Sequence, residues 1–99
     1  MPKTHSVAAV EIGRRIREVR QLLGISLEDL GELSEIGWTS IGRIERGVSS
    51  PNAETLVRLA TALEVDPGQF LTGITASDYG LRTHQITVHD LIKARREQG

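Results

Sequence analysis

Residues 26–47, SLEDLGELSEIGWTSIGRIERG, decide the fold. Ser26 carries a hydroxyl that can accept from the backbone N–H three residues on, and Asp29 stands at that third position. Ser26-Leu27-Glu28-Asp29 is therefore an N-terminal capping signature. The spacing predicts a helix from Leu27 to Glu35 that buries Leu30 and either Leu33 or Ser34. After Ile36-Gly37 another short helix fits Trp38 to Arg46, with Ile41 and Ile44 turned inward and Gly47 as terminator. Two helices joined this tightly must cross closely. Gly31 faces the crossing, where a larger side chain would hold them apart.

The flanks supply more helices of the same kind. Upstream, Ile12, Ile16, Val19 and Leu23 recur at three- and four-residue steps from Ala8 onward, one stripe of an amphipathic helix ended by Gly24. Downstream, the loop Val48-Ser49-Ser50-Pro51 leads to Asn52, a cap for a helix whose inward stripe is Leu56, Leu59, Ala60 and Leu63. Asp66-Pro67-Gly68-Gln69 combines a cap, a proline at the first helical position and a glutamine at the third. It predicts a fifth short helix ending near Thr72-Gly73. Five short helices with brief connections read as an all-α orthogonal bundle.

This pattern divides the chain into a flexible N-terminus over residues 1–8, a bundle over 9–73 and a C-terminal extension over 74–99. In the extension, Thr75 to Gln85 is polar and reads as a linker or extended segment. Thr87-Val88-His89-Asp90 repeats the capping signature and predicts an extra helix to about Glu97. Its apolar face is Val88, Leu91, Ile92 and the stem of Arg95. A helix this short needs a surface to pack on, its own bundle or a partner subunit.

Composition narrows the chemistry. The chain has 99 residues and no cysteine, which excludes a disulfide scaffold, thiolate metal sites and a cysteine nucleophile. Trp38, Phe70 and Tyr79 are its whole aromatic inventory, so the core must be aliphatic. No apolar run reaches signal-peptide or membrane-span length, and the default is a cytoplasmic protein with no membrane contact. His84 and His89 are five apart, which suits neither one helical face nor a common metal pattern. No nucleophile elbow or Gly-rich phosphate loop is present. Neither an enzyme, nor a cofactor, nor a metal is expected.

The 12 basic and 13 acidic groups give a formal charge of −1. The charges are sorted along the chain, however. Residues 1–25 hold five basic and two acidic groups, whereas residues 26–36 hold four acids and no base. DNA affinity depends on clustered positive charge, so the sum alone excludes nothing.

Ile12-Gly13-Arg14-Arg15-Ile16-Arg17 with Arg20, the central stretch with Ile44-Glu45-Arg46-Gly47, and Pro51 with Glu54-Thr55-Leu56 together resemble the Cro/C1-repressor-like (Xre) helix-turn-helix family of phage and bacterial regulators. The resemblance covers roughly residues 9–73 and implies a five-helix repressor-like bundle. It also implies that Trp38 to Arg46 is the recognition helix. Trp38, Thr39, Ser40 and Arg43 then stand where this family reads base edges in the major groove. Arg43 can donate two bonds to the O6 and N7 of guanine, and Gly42 would let the helix approach closely. Trp38 reads two ways, against DNA or folded back on the bundle. Arg46, the Gly47 backbone N–H and Ser49 are implied as phosphate contacts. Arg20 and Glu45 are implied as an ion pair joining the first helix to the end of the recognition helix. Arg14, Arg15 and Arg17 read either as a solvated helix face or as a rim of phosphate contacts, with the solvated face favoured for most of them.

Two positions depart from the family. It usually opens the second helix with a phosphate-gripping glutamine, where Leu27 offers only its backbone N–H. Its turn usually holds a left-handed glycine, where this chain has Glu35, a difference of about 1 kcal/mol. The expected function is a sequence-specific transcriptional regulator that binds a pseudo-palindromic operator in double-stranded DNA as a homodimer. With no room for a sensor domain in these residues, control would come from concentration, a partner or the extension. The alternative is an antitoxin-like or adaptor protein whose helix-turn-helix and residues 74–99 mainly bind another protein.

Overall fold

Ser6 starts the fold, its Oγ accepting from the Ala9 N–H at 3.0 Å to launch α1 (Val7–Leu22). The computed structural model describes residues 3–80 and 87–98. His84 and residues 81–85 of the expected linker lie outside them, as do residues 1, 2, 86 and 99. Four further α-helices follow: α2 (Leu27–Ser34), α3 (Trp38–Glu45), α4 (Ala53–Leu63) and α5 (Val88–Gln98). Short 3-10 turns span Pro67–Phe70 and Ala76–Tyr79, and the described residues contain no strand. None of their helices is long and apolar enough to cross a membrane.

The caps are local chemistry. Ser26 Oγ accepts from Asp29 N–H while the Asp29 carboxylate accepts from Ser26 N–H, both at 3.0 Å. These bonds hold the Asp29 carboxyl below its ordinary pKa. Asn52 Oδ1 accepts from Thr55 N–H at 2.8 Å to start α4. α2 stops at Glu35, which adopts the left-handed conformation (φ 60°, ψ 32°). A side chain there costs about 1 kcal/mol, and the turn between α2 and α3 holds it in place.

The core is aliphatic around one ring. Ile12 and Ile16 of α1, Leu30 of α2, Ile41 and Ile44 of α3, and Leu56, Leu59 and Leu63 of α4 enclose Phe70, which is fully buried. Ser34 rather than Leu33 is buried on α2, and its hydroxyl donates to Leu30 O at 2.6 Å.

Three elements differ from the sequence reading. The N-terminal segment expected to be flexible, residues 1–8, already includes helix. Val7 and Ala8 belong to α1, and Ala8 is fully buried because α1 begins at the Ser6 cap. His5 N–H also donates to Gly47 O at 2.7 Å, tying this end to the loop after α3. The fifth element is a 3-10 turn rather than an α-helix. Asp66 Oδ1 accepts from Gly68 N–H, and Leu71 N–H reaches back only three residues to Gly68 O. Thr75 to Tyr79 is not extended, because Asp78 accepts from Thr75 N–H at 2.9 Å and closes a turn that packs on α1. Of the two surfaces the sequence leaves open for the extra helix, α5 does not use its own bundle, since it lies exposed over its described length.

α1 and α3 approach so closely that glycine is required at position 13. A Cβ on Gly13 would collide with Ile44 O and stand 2.9 Å from Glu45 O. Both are backbone atoms, so only a shift of the helices could relieve the clash. Gly31, at the α2–α3 crossing, has Ile36 O at 3.0 Å from the equivalent position. Gly47 is left-handed (φ 74°) and faces Val10, whose Cγ2 a Cβ would meet at 2.8 Å.

On the opposite side of α1, Glu11 accepts from Arg14 and Arg15, and Arg15 reaches Thr72 O at 2.8 Å. The bonds from Arg14 and then Arg15 hold the Glu11 carboxyl at about 2, against an ordinary 4.5.

Two outcomes follow. Gly13→Ala should lower stability by about 1–3 kcal/mol, the usual range for forcing atoms into a packed crossing. Urea unfolding measures it, and an unchanged midpoint would mean the crossing can open freely. Because the folded pKa of Glu11 is depressed, its contribution is present above pH 4.5 and disappears as pH falls towards 2. Glu11→Gln should therefore flatten that part of the acid limb, followed by circular dichroism across the pH series.

Candidate nucleic-acid interface

The Arg20 guanidinium is the joint of this surface. Its Nε donates to Glu45 Oε2 at 2.7 Å, its Nη2 to Glu45 Oε1 at 2.9 Å, and its Nη1 to Ile25 O at 2.9 Å. One side chain thus links α1, the end of α3 and the connection into α2. The Arg20 and Glu45 side chains keep only 13% and 4% of their surface exposed, so water competes little for these bonds. The Glu45 hydrogen bonds raise the Arg20 pKa above its ordinary value, against the opposing effect of burial.

This joint presents one face of α3 outward. Ile41, Ile44 and Glu45 point in, while Trp38, Thr39, Ser40, Arg43 and Arg46 are exposed. Trp38, Thr39, Arg43 and Arg46 line a shallow hollow of about 210 Å³ whose floor is Leu27 and Gly42. Trp38 is half exposed there, with its Cβ close to Gly31 and the rest of its surface open to the hollow. A second hollow of about 180 Å³ shares Leu27, Gly42 and Arg46 and extends to Arg17 on α1. Ser40 is exposed on the same helix but outside both hollows. Ser49 is half-buried in the following loop.

Two glycines of this surface are buried. Gly42 lines both hollows, and a Cβ there would stand 3.0 Å from Arg46 Nη1 and 3.7 Å from Leu27 Cδ1, so its missing side chain leaves room for both. The expected Gly47 phosphate contact is corrected. Its N–H already donates to Ile44 O at 3.0 Å, and the residue is buried against Val10.

Arginine pairing separates the surfaces. Arg14 is held by Glu11 and Glu18, Arg15 by Glu11, Arg20 by Glu45, and Arg58 by Glu54 and more distantly Glu35. Among the described residues, Arg17, Arg43 and Arg46 are in no ion pair. These three surround the two hollows. The sequence leaves Arg17 open between a solvated face and a phosphate rim, although a signal favouring the second exists. Arg17 lies three residues before Arg20, on the α1 face that the Arg20–Glu45 pair turns towards α3. The α2 acids are partly diverted, Asp29 into the cap and Glu35 towards Arg58, while the charge of Glu28 reaches Arg20.

Known proteins share this sequence pattern and this fold. The helix-turn-helix family model HTH_3 matches residues 16–70. The HTH-type transcriptional regulator DdrOP3 of Deinococcus deserti is 31% identical over 84 residues, covering 85% of this chain and 49% of its own length. The chain thus spans about half that relative, and less of the other curated relatives it matches. The restriction-modification controller protein C.AhdI of Aeromonas hydrophila superposes with a TM-score of 0.61 at 35% identity, covering 63% of this chain and 94% of that one. The P22 c2 repressor, solved in complex with a synthetic operator, gives 0.59 at 35% identity with the same coverage.

The joint can be tested apart from any ligand. Glu45→Ala strands a guanidinium that is largely buried and should cost about 3 kcal/mol in urea unfolding. Replacing both partners, Arg20→Met with Glu45→Leu, should recover much of that loss. A loss below about 1 kcal/mol for Glu45→Ala would mean that the pair acts as a solvated surface bridge.

Proposed function

Because the chain belongs to the Cro/C1-type helix-turn-helix family (HTH_3), we propose that it is a sequence-specific DNA-binding transcriptional regulator acting as a homodimer on a pseudo-palindromic operator. The observation that carries this reading is the convergence of Arg17, Arg43 and Arg46 on the outer face of α3, while the other arginines of the bundle are neutralised by carboxylates. Transcriptional regulators among its relatives, and a structural neighbour solved on an operator, support the same reading.

In this reading α3 lies in the major groove, and two copies sit about 34 Å apart on successive turns. Arg43 reads guanine through O6 and N7. Trp38 and Thr39 contact thymine methyl groups or neighbouring base edges from the rim of the hollow, with Ser40 beside them. Arg46 and Arg17 hold phosphates on either side, with Ser49 and the Leu27 N–H as further backbone contacts. Residues 9–73 are the DNA-binding unit, and residues 74–99 an extension that serves assembly. A protein that regulates transcription in this way works in the cytoplasm, where bacterial DNA is.

Selection of bound sequences from a random DNA pool, followed by titration against salt, tests the proposal. The selected sites should contain two half-sites related by a two-fold axis. Arg43→Ala should reduce discrimination at one base pair of each half-site by about 1–3 kcal/mol. Arg46→Ala should weaken all sequences alike and flatten the salt dependence by about one unit per half-site. Absence of salt-dependent binding at low ionic strength would sink the reading.

A further inference from the structure

Two apolar surfaces have no partner among the described residues, and their charges are complementary. The first is α5. Thr87 Oγ1 accepts from Asp90 N–H at 3.2 Å while Asp90 accepts from Thr87 N–H at 3.1 Å, so the helix is started by its own sequence. Val88, Leu91 and Ile92 form one stripe at three- and four-residue spacing and are 64%, 44% and 42% exposed. Lys93, Arg95 and Arg96 follow, in no ion pair among the described residues. An eleven-residue helix in water is marginal without a surface to cover that stripe.

The second surface is a groove of about 430 Å³ between the end of α2 and α4. Leu33, Val57 and Ala62 line it, with Leu33 61% and Val57 50% exposed, and Glu35 and Glu64 are its acidic members. Arg58 at the same groove is already engaged by Glu54 and Glu35. The groove shares no residue with the hollows around Arg43 and Arg17, so filling it leaves the face of α3 uncovered.

We propose that α5 of one copy docks in the α2–α4 groove of a second copy, and that the exchange is reciprocal. Val88, Leu91 and Ile92 enter between Leu33 and Val57, and the basic end of α5 lies against Glu35 and Glu64. This is helix-in-groove recognition used twice about a two-fold axis. The second copy is favoured over the same copy by topology. The chain leaves its bundle at Gly80, beside Thr4 to Val7 at the start of α1, whereas the groove belongs to α2 and α4. The inference rests on the homodimer of the proposed function and names the elements that build it.

The absence of native cysteine makes a direct test clean. Full-length Thr61→Cys and Leu91→Cys chains are mixed without DNA and oxidised mildly. The expected product is a species of twice the chain mass whose peptides show a disulfide joining positions 61 and 91. Efficient self-linking of Leu91→Cys alone would mean that α5 pairs with α5, and would overturn the proposal. A Thr61→Cys/Leu91→Cys double variant that closes as a monomer would overturn it in favour of docking within one chain, and so would failure to link at all. Ile92→Glu, at a position outside the core, should raise the dimer dissociation constant about tenfold or more in sedimentation equilibrium. An unchanged constant counts against the proposal. Loss of the cross-link with operator binding intact refutes the docking alone. An intact cross-link without DNA binding refutes the regulator reading instead.

Discussion

The α1–α3 crossing sets everything else in this molecule. It is held from two sides, by the backbone contact of Gly13 under the carbonyls of Ile44 and Glu45, and by the two-pronged pair of Arg20 with Glu45. Positions 13, 17 and 20 share one face of a helix of 3.6 residues per turn. With 13 and 20 fixed against α3, the residue between them has little choice of direction. Arg17 is thereby carried to the hollow that it shares with Arg46. A contact that orients two helices also assembles a cationic surface.

That surface gives a chain of net charge −1 the local positive patch that the proposed DNA binding needs. Intrahelical spacing neutralises the arginines that face elsewhere, with glutamates three or four residues from Arg14, Arg15 and Arg58. Exposed pairs of this kind add little stability. Their larger effect is on the field, because within the bundle they leave the unpaired arginines around α3. Under the proposed function this sorting implies weak binding to generic DNA and discrimination by a few side chains.

The bundle was legible from sequence because its signals are local. Ser26 with Asp29, Asn52 before α4, and the Leu56, Leu59, Ala60, Leu63 stripe each act within one or two turns, and each forms as its spacing dictates. The failures are contacts that periodicity does not set. Nothing near Gly13 in the chain announces the Ile44 and Glu45 carbonyls beside it, and the Arg46 guanidinium, one turn after Gly42, takes its place by its side-chain conformation. Gly47 carries a terminator signal whether its N–H is free or taken, so its bond to Ile44 O could not be read. Thr75 to Tyr79 lacks periodicity because a single 3-10 turn is too short to show any. The candidate interface was partly visible for a similar reason. Residues on α3 follow from its periodicity, whereas Arg17 depends on a helix crossing.

α2 shows where the proposed DNA contacts must be anchored. Its opening turn is closed internally, with the Ser26 and Asp29 N–H groups already donating to one another's side chains. A phosphate arriving at the Leu27 N–H would meet the carboxylates of Glu28 and Asp29 in the same turn. The positive end of a helix loses its attraction for anions when acids already occupy it. Leu27 meanwhile turns its side chain under Gly42 and serves as a floor for α3. In the proposed complex α2 therefore mainly supports α3, and its Leu27 N–H is a secondary phosphate contact. The main phosphate anchors in that reading are Arg17 and Arg46, beside the crossing that Gly13, Arg20 and Glu45 hold. The same crossing would then set the register of the proposed complex.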